Sequence, residues 1–183
     1  MRRFILTGAP GSGKTAILRQ LELEGFSVVE EAATDIIAAS QNLGIPEPWR
    51  SASFIDDIVQ LQRARQLRAS QQSDQIQFHD RSVICTAALA NFLGYGISPT
   101  LSAELELIRR ETIFERQVFF IRNLGFITNT EARRITFEET LRFEKVHEQI
   151  YRAHGFELVY VDKAPLQDRV AKVRSFITTY NSP

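Results

Sequence analysis

The stretch Gly8-Ala9-Pro10-Gly11-Ser12-Gly13-Lys14-Thr15 limits the fold more than any other part of the chain, because it satisfies the pattern G-x-x-x-x-G-K-[S/T] in full. At this chain's frequencies of glycine, lysine and serine plus threonine, such a match arises by chance in roughly one sequence per thousand. Context adds to it: Phe4-Ile5-Leu6 reads as a short buried strand, and residues 14 to about 23 read as a helix. Glycines let the backbone curl so that successive N–H groups point inward, where a side chain at Gly11 or Gly13 would obstruct a phosphate oxygen. The following helix adds the partial positive charge of its N-terminus. The spelling is therefore that of a triphosphate cradle running from Gly8 through Ala16. In it Lys14 bridges the β- and γ-phosphates, and the Thr15 hydroxyl ligates Mg2+. Two plainer readings compete: a glycine-rich strand-to-helix turn with an incidental lysine, and a loop that no longer turns over.

Beyond the loop, short apolar runs alternate with longer amphipathic segments, as in βαβ units around a parallel sheet. Strands are expected at Ser27-Val28-Val29-Glu30, Ile76-Gln77-Phe78-His79-Asp80, Val118-Phe119-Phe120-Ile121 and Leu158-Val159-Tyr160-Val161. Val118 to Ile121 form the most apolar of these, which predicts a central place in the sheet. Helices are expected over residues 31 to about 40, 51–72, 82–92, 99 to about 112, 131–154 and 165 to about 178. The expectation is one domain, residues 1–183. It has an α/β, three-layer fold with a five-stranded parallel sheet, helices on both faces and a short helical lid in residues 122–142.

Composition narrows the partners. The 183 residues carry 22 basic and 22 acidic side chains, and zero net charge argues against a broad nucleic-acid-binding face. No apolar run reaches the ~18 residues of a membrane span, and Gly8 and Pro10 end the apolar N-terminal run early, so a soluble cytoplasmic protein is expected. Cys85, the only cysteine, reads as a small core residue. His79, His147 and His154 lack metal-ligand spacing, and His79 is expected beside the site without a role in it. A homodimer or a protein partner is left open.

A magnesium ion held by one threonine and phosphate oxygens needs a nearby carboxylate. Asp80 ends the third strand, where a parallel sheet opens its crevice, and is the best candidate; its alternative is to cap the helix starting near Ser82. Asp80-Arg81-Ser82 resembles the Asp-Arg or Glu-Arg signature of nucleoside and nucleotide kinases, which implies that Arg81 contacts the acceptor or the transferred phosphate. The likeness extends to Val29-Glu30-Glu31-Ala32-Ala33, Ala87-Ala88-Leu89, Arg133-Arg134-Ile135-Thr136-Phe137-Glu138-Glu139, Leu141-Arg142-Phe143-Glu144, Tyr151 and Gly155. Together these resemble a family of small predicted ATPases that also includes the ribosylnicotinamide-kinase domain of a bacterial NAD regulator. The resemblance implies a kinase-type P-loop fold, with Glu30 or Glu31 facing the acceptor and Glu31 preferred as the group that orients or deprotonates its hydroxyl. The alternative is that both acids complement the next helix's dipole. Many relatives carry an arginine after Glu-Ala-Ala, where this chain has Thr34.

In P-loop kinases a lid between the fourth strand and the next long helix closes over the phosphates, and its arginines stabilise charge on the γ-phosphoryl oxygens. Arg122, Arg133, Arg134 and Arg142 are the candidates here. Arg134 and Arg142 could instead pair with Glu138 across one helical turn. Three functions follow in order: an ATP-dependent phosphotransferase with a small, nucleoside-like acceptor; a nucleotide-dependent switch or hydrolase acting on a protein partner; and a binding module. The absence of an Asn-Lys-x-Asp motif favours ATP over GTP, and residues 162–165 are expected to border the base.

Overall fold

The computed structural model describes residues 1–72, 74–125 and 136–180, apart from the side chains of residues 179 and 180. In chain order the elements are β1 (Arg2–Thr7), α1 (Lys14–Leu23), β2 (Ser27–Val29), α2 (Ala33–Asn42), a single 3-10 turn (Pro48–Arg50), α3 (Ser53–Ala69) and β3 (Ile76–Asp80). After them come α4 (Val83–Leu93), α5 (Pro99–Glu111), β4 (Gln117–Ile121), α6 (Phe137–Ala153), β5 (Glu157–Val161) and α7 (Leu166–Tyr180).

The five strands form one parallel sheet in the order β2-β3-β1-β4-β5. β1 is the middle strand, and β4, expected there, lies beside it. Both are paired on two sides, so both carry the continuous apolar pattern from which a central strand was read. Alternation along β1 divides the core in two. Phe4 and Leu6 join Phe78, Phe119 and Ile121 under α1 and α7, while Ile5 and Val118 face residues of α3, α4, α5 and α6. The result is the expected three-layer α/β architecture. Ring contacts of 5.8 Å and 6.0 Å tie Phe4 to Phe119 and Phe78 across three adjacent strands. Each such buried ring is worth about 2–3 kcal/mol of transfer free energy.

Local chemistry sets the helix starts. The Ser82 hydroxyl accepts from Ile84 N–H and caps α4, so the capping task weighed for Asp80 belongs to its neighbour but one. Ser98 caps α5 ahead of Pro99. α6 begins at Phe137 and not near residue 131, because Thr136 and Glu139 form a reciprocal capping box. α2 begins two residues later than expected, which leaves Glu31 outside the helix at the end of the β2 connection. Among the described residues, no helix is long and apolar enough to cross a membrane.

Candidate functional site

The β1–β3 register pairs Leu6 with Asp80, and the Arg81 N–H donates to the Leu6 carbonyl at 3.0 Å. That pairing sets Asp80 and Arg81 beside the segment that leaves β1 as the phosphate loop, at the carboxyl edge of the sheet, where α/β folds bind ligands. Two glycines of the loop are required by their surroundings. Gly8 has φ +132°, and a Cβ there would lie 2.3 Å from the Ile121 carbonyl oxygen at the end of β4. Gly13 has φ +80°, and its Cβ would lie 2.8 Å from Arg169 Nη1. The sequence attributed the need for Gly13 to an incoming phosphate; the neighbour that excludes a side chain in this structure is an arginine of α7.

Arg169 is a residue that sequence reasoning missed. Its Nη2 donates to the Ser12 carbonyl at 2.5 Å, its side chain is almost wholly buried, and its Nε has no partner. It pins the Ser12–Gly13 peptide from behind the loop. Lys14 is also buried, its Nζ donating to Gly8 O at 3.0 Å, Ala9 O at 3.1 Å and Ser12 Oγ at 3.3 Å. Burial first, and then the Arg81 charge, pull its ammonium down to about 7 against the opposing pull of Asp80 and Glu31.

Thr15 and Asp80 line one cavity of about 250 Å³ with Glu30, Glu31 and Asp35. A hydroxyl and a carboxylate on one small space are the hard oxygen donors a magnesium ion takes when nucleotide phosphates and water complete its shell, so the residues fit that ion. A second cavity, of about 320 Å³, lies against Pro10 of the loop. Its walls are largely apolar: Trp49 from the 3-10 turn, Phe54 and Ile58 from α3, Leu89 and Phe92 from α4, Phe143 from α6. Its polar lining includes Glu31, Thr34, Arg81, Glu139 and Gln62. Gln62 is 4 % exposed, and its amide nitrogen has no hydrogen-bond partner.

Glu31 and Thr34 line both cavities, and Arg81 lines the larger one. Arg81 Nε donates to Glu31 Oε2 at 2.8 Å, and the Thr34 hydroxyl donates to Glu31 Oε1. Burial alone would raise the Glu31 carboxyl, but Arg81 and Thr34 outweigh it and hold it below the usual carboxylate range. Thr34, the departure from the family pattern, thus supports the acid. Glu30 instead pairs with Arg19 at the exposed edge, which separates the two acids that the sequence left together. Arg81 has φ 67°, a left-handed conformation costing about 1 kcal/mol or more for a residue with a side chain. Its side chain is partly buried, 14 % exposed, and lies against Glu31 instead of standing free on a helix end.

Beneath the site runs a buried polar chain: Thr7 Oγ1 to Cys85 Sγ at 3.1 Å, Cys85 Sγ to Tyr151 OH at 2.9 Å, and Tyr151 OH to Ser82 Oγ at 2.9 Å. Cys85 is the small buried residue expected, yet it also touches the larger cavity. His79 packs edge-on against Phe114, with ring centres 5.0 Å apart, and lines neither cavity. Of the lid arginines, Arg133 and Arg134 lie outside the described residues. Arg122 donates to Glu144 at 2.9 Å and Glu148 at 2.7 Å and stacks 4.2 Å over the Tyr160 ring. Arg142 is exposed, 5.9 Å from the Phe92 ring centre.

Solved structures support the fold. Deoxyadenosine kinase from M. mycoides with bound dATP superposes with a TM-score of 0.63 at 12% identity, covering 96% of this chain and 99% of that one. The same kinase with the products dCMP and a flexible dCDP gives 0.58 at 12% identity, covering 98% and 100%. No curated protein matches the sequence. Residues 3–169 match the model of a family described as an AAA domain, a span that holds the phosphate loop, Glu31, Asp80, Arg81 and Arg169 alike. The chain belongs to that AAA domain family, and its fold is like that of the two kinase structures.

Proposed function

We propose that the chain is an ATP-dependent phosphotransferase that moves the γ-phosphoryl group to a hydroxyl of a small, nucleoside-like acceptor. The observation that carries this is the larger cavity. Its volume is about 320 Å³, and its lining combines Trp49, Phe54 and Phe92 with Gln62, whose amide nitrogen has no partner, with Glu31 and Arg81, and with Pro10 of the loop. A desolvated amide with no partner is costly in a pocket that stays empty and useful in one that reads a polar ring edge.

The residues divide the work. Loop N–H groups and Lys14 take the β- and γ-phosphates. Thr15 and Asp80 would hold Mg2+, which offsets phosphate charge when bound. Glu31, kept ionised by Arg81 and Thr34, accepts the hydrogen of the acceptor hydroxyl and aims its oxygen at the γ-phosphorus. Arg81 meets the transferred phosphoryl group from the acceptor side, and Arg133 or Arg134 would close on it from the lid. The deoxyadenosine kinase likeness supports a nucleoside as acceptor, and ribosylnicotinamide belongs with it because of the sequence resemblance.

The test is ADP release from Mg-ATP, alone and with nucleosides (ribosylnicotinamide among them), nucleotides and other small hydroxyl compounds. Acceleration on the order of a hundredfold by one acceptor, with phosphate recovered on it, supports the reading. Release indifferent to every acceptor would contradict it and favour a switch acting on a protein partner.

A further inference from the structure

Arg81 is gripped at two guanidinium nitrogens from two different elements. Glu31 takes Nε at 2.8 Å, and Nη1 lies 3.3 Å from Nε2 of His147 on α6. His147 is fully buried, and its Nδ1 lies 2.9 Å from the Phe143 carbonyl oxygen. Both of its partners are one-sided. A carbonyl only accepts, so Nδ1 carries the proton; a guanidinium only donates, so Nε2 must offer a lone pair. The ring cannot serve both partners in any other protonation state. Burial and the Arg81 charge also disfavour the imidazolium.

With Glu31 alone, the guanidinium could swing about the Nε contact. A second acceptor at Nη1 fixes its plane and leaves Nη2, which donates to no described residue, as the edge free for a ligand. The grip also reaches the larger cavity, because Phe143, whose carbonyl orients His147 and whose ring lies 4.2 Å from the imidazole, is part of the cavity wall.

We propose that His147 is a positioning residue: its Nε2 holds the Arg81 guanidinium in one plane so that Nη2 meets the transferring phosphoryl group. The rate effect rests on the phosphotransferase reading above; the grip itself does not.

The test uses the full chain with His147→Phe, which keeps a ring against Phe143 and removes the acceptor nitrogen, and His147→Gln, whose amide oxygen can replace it. In 15N spectra the parent shows His147 protonated at Nδ1 and resolved, slowly rotating Arg81 Nη signals; His147→Phe loses the slow rotation. With the best acceptor, His147→Phe lowers kcat about 10²-fold at unchanged ATP Kd, whereas His147→Gln keeps most of the rate. A proton on Nε2, Arg81 signals unaltered in His147→Phe, or equal rate losses in the two variants would overturn the proposal. Should no acceptor accelerate ADP release in the parent, the phosphotransferase reading fails, and the spectra alone decide the grip.

Discussion

The phosphate loop and the larger cavity are built in opposite ways. The phosphate cradle is continuous chain, the eight residues from Gly8 to Thr15, of which the last two open α1, and its function is written in its own backbone. The larger cavity is assembled mainly from side chains of α2, the 3-10 turn, α3, α4 and α6, brought together only by folding. A local device tolerates little change in spelling, because each glycine and the lysine answer to the phosphates or to an immediate neighbour. An assembled pocket can exchange a wall residue and keep its shape. Under the proposed function, one half fixes the chemistry of the donor, and the other is free to choose the acceptor.

Substitutions can break or sharpen this division. Lys14→Ala should cut turnover about 10³-fold while acceptor binding, read by calorimetry, stays unchanged. Normal turnover by this variant would sink the account of the cradle. Asp80→Asn should raise the Mg2+ concentration for half-maximal activity at least about tenfold; an unchanged metal dependence would remove Asp80 from the site.

A reciprocal pair tests the division itself. Arg169→Met frees the Ser12–Gly13 peptide and should weaken ATP binding about tenfold at constant acceptor KM. Gln62→Leu should raise acceptor KM about tenfold at constant ATP Kd. If either change moved both constants equally, the two halves would not be separable.

A last effect is expected on pH. Lys14 titrates at about 7 with phosphate absent, and bound phosphate favours its charged form, so the complex has the higher pKa and binding takes up a proton. ATP affinity should be level below that pH and fall by up to about tenfold per unit as pH rises through it. Calorimetry in buffers of different ionisation enthalpy would show the uptake, and pH-independent affinity between 6 and 9 would contradict it.

What the sequence disclosed follows the same division. The five strands, their parallel arrangement and the loop were legible because each depends on near neighbours in the chain. Asp80 could be singled out because it ends a strand beside a loop already recognised, whereas Arg81 and Glu31 were singled out through the family resemblance. Gln62, His147 and Arg169 had no signal of their own. Gln62 looks like any polar residue on a long helix, His147 was dismissed for lacking metal spacing, and Arg169 meets Ser12 across 157 residues. Arg122 lies at the lid's entrance in sequence, and its pairing with Glu144 and Glu148, one helical turn apart on α6, had no signal there either. The start of α6 was misplaced because the capping box of Thr136 and Glu139 falls inside a run that itself favours helix.

The central claim is that the cradle hands its terminal phosphoryl group to something held in the aromatic cavity. The most direct measurement follows the label from γ-32P-ATP in the presence of the acceptor that most accelerates ADP release. The account predicts label on an acceptor hydroxyl in one-to-one ratio with ADP, and loss of that transfer, with ATP binding intact, when the cavity is filled by Ala33→Trp. Label found wholly in inorganic phosphate, with or without acceptor, would contradict it.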